Sequence, residues 1–228
     1  VSPMAYVILT GMLLVCGFFF YYVIVEPYNS ARLPFAFDGM LLLLVWLIIF
    51  ISPYVTSRLI AEEKNRGTIE TLMTAPVSDV QVVMSKYLAA MCFITYLLLP
   101  SLFFVVLILN YADVDWGAIA TGYGGVLLAA GWIVAIGIFV SALCNSQMTA
   151  GILTLLLAMG LFLIKLVPVM FLAEGNWLRT ILQSFNLVDY MSDFLRGVVD
   201  TRQVVFGISM IFFFLFLTVL TFGSRRWR

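Results

Sequence analysis

The chain has 228 residues, of which 64% are hydrophobic and 11% charged, with 12 Lys and Arg balanced by 12 Asp and Glu and no histidine. So little charge does not cover the surface of a water-soluble domain, and the chain is read as an integral membrane protein. Zero net charge leaves no electrostatic footprint for nucleic acid, and the lack of histidine makes imidazole haem ligation, most zinc sites and proton relays poor candidates.

A helix needs roughly 20 apolar residues to cross the hydrocarbon core. The sustained apolar runs cover residues 4–25, 37–53, 87–109, 119–143, 148–172 and 204–222. Backbone amides in lipid have to be satisfied within each segment, so the runs are expected to be helices, making an all-α polytopic protein with six spans. The first run is of full membrane length and reads as a span, not as a cleaved signal peptide. The sequence begins at Val1 only a few residues before it, and a natural amino-terminal segment upstream is one expectation. Cys16, Cys92 and Cys144 lie far apart without metal-ligand or disulfide spacing and read as small core residues.

Between the second and third runs, residues 58–86 form a hydrophilic interruption, R-L-I-A-E-E-K-N-R-G-T-I-E-T-L-M-T-A-P-V-S-D-V-Q-V-V-M-S-K. Its punctuation is that of a built element. Glu62 and Arg66 stand at i, i+4, the spacing of a helical ion pair. Gly67 reads as a break and Thr68 as the N-cap of a short helix, with Glu70 in the first turn, where a carboxylate suits the dipole. Ile69, Leu72 and Met73 share one face of that helix, and Pro76 keeps it from running on. Ser78-Asp79-Val80-Gln81 has the spacing of a capping box, flanked by Val77 and Val82 at the spacing of a hydrophobic staple.

Pro100 and Pro168 fall inside the third and fifth runs and should bend or loosen them, as plain kinks or as gating hinges. The fourth run carries Gly117, Thr121, Gly125 and Ala129, then Ile133, then Gly137 and Ser141 at every fourth position. Such a row lets another helix approach closely in lipid, from this chain or from a second subunit. Cys144-Asn145-Ser146-Gln147 forms a tight turn into the fifth run. There Lys165 lies about 25 Å along its helix, near enough to the outer interface to snorkel, with a place on a translocation path as the other reading. The runs lack the intramembrane carboxylates and midplane breaks that ion-coupled carriers use, so the energy for any transport is expected from elsewhere. In the outer segment 173–203, Leu187, Val188, Met191, Phe194, Leu195 and Val198 make an apolar stripe at helical spacing. Asn186 is its candidate N-cap and Gly197 its candidate end.

Six spans put both termini on one side. Arg58, Lys64, Arg66, Lys86, Arg225, Arg226 and Arg228 fall on that side, and Arg32, Arg179, Arg196 and Arg202 on the other, so the first face is expected to be cytoplasmic. Tyr21, Tyr22, Trp116 and Trp227 lie near span boundaries, where amphipathic rings anchor.

The string R-L-I-A-E-E-K-N-R-G-T-I-E-T-L-M-T-A-P-V-S resembles the cytoplasmic signature of ABC-2 type permeases, an E-E-(K/R)-x-x-G-T-(I/L)-E-x-L-(L/M)-T-x-P-V-S pattern in the coupling region. Weaker likenesses are Ser2-Pro3-Met4-Ala5-Tyr6, residues 141–150 at the inner turn, residues 194–200, and Ser224-Arg225-Arg226-Trp227. The most similar branch is the gliding-motility and nitrous-oxide-accessory permeases. The resemblance implies a single ABC-2 type transmembrane domain over 1–228, with a cytoplasmic coupling helix in block 58–86 and short outer re-entrant or interfacial helices before the last span. It places the chain in a bacterial cytoplasmic (inner) membrane, multi-pass, with both termini cytoplasmic. The implied partners are cytoplasmic ABC ATPase subunits, a second copy or a homologous permease, the lipid membrane, and room for a periplasmic or auxiliary membrane subunit.

On that resemblance Glu62, Glu63, Arg66, Gly67, Thr68, Glu70, Leu72 and Pro76 would form the contact with the ATPase subunit, with Asn145 and Gln147 at the inner turn. The sequence carries no G-x-x-x-x-G-K-(S/T) phosphate loop, so ATP and Mg are assigned to the partner, and no enzyme activity, cofactor or metal to this chain. The family's amino-terminal interfacial helix does not precede the first span in the numbered sequence. The function expected is that of a permease subunit coupling a partner's ATP hydrolysis to export or mechanotransmission. A non-transporting membrane scaffold or anchor for a periplasmic or motility complex is the other reading. No residue names a substrate.

Overall fold

The computed structural model describes residues 3–25, 33–65, 67, 78–109, 115–164, 191, 193–195 and 197–223. Among these residues every regular element is a helix: α1 (Pro3–Val25), α2 (Leu33–Leu59), α3 (Ala61–Asn65), α4 (Asp79–Leu98), α5 (Ser101–Leu109), α6 (Trp116–Leu143), α7 (Gln147–Leu163) and α8 (Thr201–Gly223). Five stretches are long and apolar enough to cross a membrane: Pro3–Tyr22, Phe37–Asn65, Asp79–Leu109, Trp116–Leu143 and Thr201–Gly223. The fifth expected run is represented by the shorter Gln147–Leu163, while residues 165–172, with Lys165 and Pro168, lie outside the described residues.

Two expected spans differ in detail. The second does not stop at Pro53: α2 runs through it to Leu59. Proline has no N–H to give to the carbonyl four residues back, and Ser52 Oγ lies 3.5 Å from that carbonyl, Ile49 O, while Thr56 Oγ1 donates to Ser52 O at 2.8 Å. The third span is interrupted at Leu99 and Pro100, between α4 and α5. There the chain tightens into i, i+3 bonds from Leu102 N to Leu99 O and from Phe103 N to Pro100 O. Ser101 Oγ donates to Leu98 O at 2.6 Å and lies 2.9 Å from Tyr123 Oη on α6, so the freed carbonyl is satisfied inside the bundle.

α6 is the central element: 78% of its apolar window is buried, against 11% for α1 and 17% for α8. Its ring and glycine contacts set helix directions. Trp132 meets Phe206 and Phe139 meets Phe214, with centroids 6.1 and 5.8 Å apart, so α6 and α8 run parallel. Gly122 faces Leu41 and Gly137 faces Thr56, which makes α2 parallel to α6 as well. Trp46 lies 4.0 Å from Phe162, and Gly151 faces Ser57, so α7 is antiparallel to α2. Tyr87 lies beside Gly131 and Ser101 beside Tyr123, making the α4–α5 span antiparallel to α6. Phe19, near the end of α1, meets Gly39, near the start of α2.

The small-residue row of α6 is used within the chain. Thr121 Oγ1 donates to Phe194 O at 3.0 Å, and a Cβ at Gly125 would lie 2.7 Å from Phe194 Cγ. At the other end, a Cβ at Gly137 would lie 2.4 Å from Thr56 Oγ1 and 2.8 Å from Thr56 Cβ. Phe194 is held in turn by a Schellman closure, with Val198 N bonded to Asp193 O and Gly197 N to Phe194 O, and Gly197 in the left-handed region at φ 78°. The expected end of the outer stripe is therefore found; Asn186, Leu187 and Val188 lie outside the described residues.

Gly137→Ala is expected to destabilise the protein by about 1–3 kcal/mol of overpacking before any gain in helix propensity. Gly160→Ala, where a Cβ meets nothing within 4 Å, shares that propensity gain and serves as the reference. Melting of the two purified variants in one detergent checks this, and equal melting temperatures would contradict the close approach of α2 and α6.

Candidate functional site

The polar block begins where α2 ends. Its last turn carries Arg58, a cation at the negative end of the helix dipole, whose guanidinium stands 4.3 Å from the centre of the Tyr54 ring. At Ile60 the helix breaks into a turn, and α3 restarts with Lys64 N bonded to Ile60 O. The first N–H groups of a helix lack internal acceptors. For Ala61 N the acceptor is Ser141 Oγ of α6, at 3.0 Å, and the same hydroxyl donates to Ser57 O at 3.3 Å. One serine thus stitches the end of α6 to both sides of the α2–α3 elbow.

Two lysines complete the fastening. Lys64 Nζ donates to Ala142 O and, at 3.2 Å, to Cys144 O, in the last turn of α6 and its cap, where carbonyls have no intrahelical donor. Lys86 Nζ, on α4, donates to Leu59 O at the end of α2 and forms an ion pair with Glu63 Oε2 at 2.5 Å. Each ammonium therefore sits at the negative end of a helix other than its own. The Lys86 side chain is 12% exposed and that of Glu63 37%. The lysine is the anchored member, and the carboxylate borders an open groove of about 830 Å³ lined by Leu59, Glu63, Gln81, Ser85 and Lys86.

The far side of the groove is set by the start of α4, where the expected capping box is present. Gln81 N donates to Ser78 Oγ at 3.3 Å, and Ser78 N donates to Gln81 Oε1 at 3.0 Å. Gly67 has φ 71°, the left-handed conformation expected of a break after α3. Glu62 is half-buried on α3, Asn145 is exposed in the turn after α6, and half-buried Gln147 is the first residue of α7. Of the expected contact residues, Arg66, Thr68, Glu70, Leu72 and Pro76 lie outside the described residues, as does Val77. Glu63 and the 144–147 turn are brought to the same elbow, through Lys86 and Lys64 respectively.

Among the described residues no group of His, Cys, Asp or Glu is arranged to hold a metal ion. The elbow holds a carboxylate, two ammonium groups and hydroxyls, committed to helix ends and to one another. That arrangement is mechanical: it fixes one polar element, α3, against α2, α4 and α6. A second opening of about 620 Å³, apolar and lateral, lies between α4, α6 and α8, bordered by Tyr87, Gly124, Gly131, Phe194 and Ile211.

Residues 2–162 match the sequence model of a family described as ABC-2 family transporter protein. The chain belongs to that family. No curated protein matches it. The matched part of this ABC-2 family protein runs from α1 nearly to the end of α7 and so contains the elbow, the capping box and the turn between α6 and α7.

Lys64, Lys86 and Ser141 carry the elbow's contacts, although none of them is among the contact residues expected from the sequence. There the lysines served for orientation, Lys64 also as a signature position, and the serine as a small residue at the start of the inner-turn likeness. Their signal in the sequence is faint. A lysine near a helix end is a common helix cap, but these carbonyls are 78, 80 and 27 residues away along the chain.

The Glu63–Lys86 pair is expected to show a coupling of about 1 kcal/mol in a double-mutant cycle of Glu63→Gln and Lys86→Met. Melting of the four proteins at low ionic strength measures it, with the coupling shrinking as salt is added. A coupling of zero at low salt would remove the pair from the account of the elbow.

Proposed function

We propose that this ABC-2 family protein is the permease subunit of an ATP-binding-cassette transporter, coupling ATP hydrolysis by a separate cytoplasmic ATPase subunit to export or mechanotransmission across a bacterial cytoplasmic membrane. The observation that carries the reading is the fastened elbow. A surface that receives force has to be stiff, and here the segment with the coupling-type signature is tied by Glu63, Lys64 and Ala61 to α4 and α6 at the ends of spans. ATP and Mg belong to the ATPase partner, and this chain performs no catalysis.

The same reading has six spans and both termini inside. It is supported by helix directions, because α2, α6 and α8 run one way and α4–α5 and α7 the other, as alternating crossings require. Arg58, Lys64 and Lys86 cluster at the elbow, which supports a cytoplasmic position for it. The block 58–86 is the coupling region in this proposal. A second permease copy, or a homologue, completes a dimer of the gliding-motility and nitrous-oxide-accessory type.

Gly67 tests the docking assignment without disturbing packing, since a Cβ there meets nothing within 4 Å. A non-glycine residue in the left-handed region costs about 1–2 kcal/mol, so if docking selects this turn over relaxed ones, Gly67→Val is expected to weaken ATPase-subunit binding by up to about 5- to 30-fold. Glu63→Gln should weaken it in the same direction. Co-purification of the ATPase subunit with limiting permease measures both effects, and a complex unchanged by either variant would refute the docking assignment.

A further inference from the structure

Glu63 and Lys64 are neighbours in sequence, yet they tie α3 to different helices. Glu63 reaches α4 through Lys86, whereas Lys64 bridges Ala142 O and Cys144 O at the end of α6. We infer that Lys64 is the positioning residue that hands motion of the elbow to α6. The inference rests on the permease reading above.

Besides the Glu63–Lys86 pair to α4, a covalent route and a hydrogen-bonded route lead from α3 into the bundle. The covalent one passes through the turn at Ile60, where α2 and α3 are separate helices, and leads into α2. The other passes through the Lys64 ammonium. Its bonds are charge-assisted, and one cation spanning two carbonyls resists tilt as well as separation. Ser141, one residue before Ala142, adds the bond from Ala61 N on the same side of the elbow.

The receiving helix is the one best placed to spread a displacement. α6 is the most buried span and has α2, α4, α7 and α8 packed on it. Interfaces packed at backbone distance, such as Gly137 on Thr56, move as units, because a small shift is not absorbed by side-chain rearrangement. A movement of the last turn of α6 therefore reaches both the α2 hydroxyl cluster and the turn into α7.

The chain carries its own reporter. Cys144 is half-buried at the cap of α6, Cys16 is buried, and Cys92 is exposed on α4. In a Cys92→Ser background, with the full chain and its ATPase subunit in lipid nanodiscs, the rate of maleimide modification of Cys144 is measured with and without ATP. In the parent protein the rate is expected to depend on nucleotide. Lys64→Met, which keeps the stem and removes the ammonium, is compared at an ATPase-subunit concentration that saturates it, and there should lose that dependence by about fivefold or more. Lys64→Arg should restore it.

A Met variant with full nucleotide dependence would overturn the inference. So would an Arg variant as defective as Met, a Met variant that the ATPase subunit does not saturate, or a parent protein whose Cys144 ignores nucleotide while the ATPase is bound. A parent chain that binds no ATPase at all would overturn the permease reading itself, which separates the two failures.

Discussion

Between apolar helices in lipid there is no hydrophobic force, so what holds a bundle together is how closely the helices fit and which polar groups they share. α6 meets this condition by leaving out side chains where neighbours arrive. A Cβ on Gly122, Gly125 or Gly137 would stand 2.4, 2.7 or 2.4 Å from Leu41, Phe194 or Thr56. The absence of those atoms lets α2 lie along one side of α6 and the Phe194 turn close over another. The remaining helices are placed by what α6 and α2 leave available: α7 against α2 through Trp46 and Phe162, and α8 against α6 through paired rings.

Close packing alone would leave the helix ends as weak points, because each end in or near lipid carries backbone groups without partners. The elbow uses that need. The ends of α2 and α6 are completed by lysines from α4 and α3, and the start of α3 by a serine from α6. Satisfying the backbone and joining the helices are the same set of bonds. A polar segment fastened in this way is held against the most buried helix of the bundle.

Pro53 and Pro100 show how far a residue's local signal reaches. Both lack the N–H that a helix needs, yet α2 continues through one and the third span breaks at the other. At Pro53 the hydroxyls of Ser52 and Thr56 turn back onto the backbone, and Thr56 is clasped by Gly137, so the helix is held on both sides of the proline. At Pro100 the partner is Ser101, bonded to Leu98 O and next to Tyr123, which stabilises a separated end instead. A hydroxyl close to the proline is common to the two cases. The neighbour contributed by α6, glycine in one and tyrosine in the other, is what differs.

Composition and run length by themselves determined that this is a helical membrane protein, because lipid rejects every open backbone and only long apolar runs cross it. Local chemistry determined the capping box at Ser78 and Gln81 and the glycine ends at Gly67 and Gly197, since each is decided within a few residues. The motif between 58 and 78 pointed to the family that residues 2–162 then matched. Tertiary structure alone decided that the small row of α6 serves this chain's own packing, and that Lys64, Lys86 and Ser141 are the fastenings of the elbow. The physical reason is distance along the chain. A helix end advertises its need for a donor or an acceptor locally, but the group that meets it comes from wherever another helix passes, and only the assembled bundle specifies which one that is.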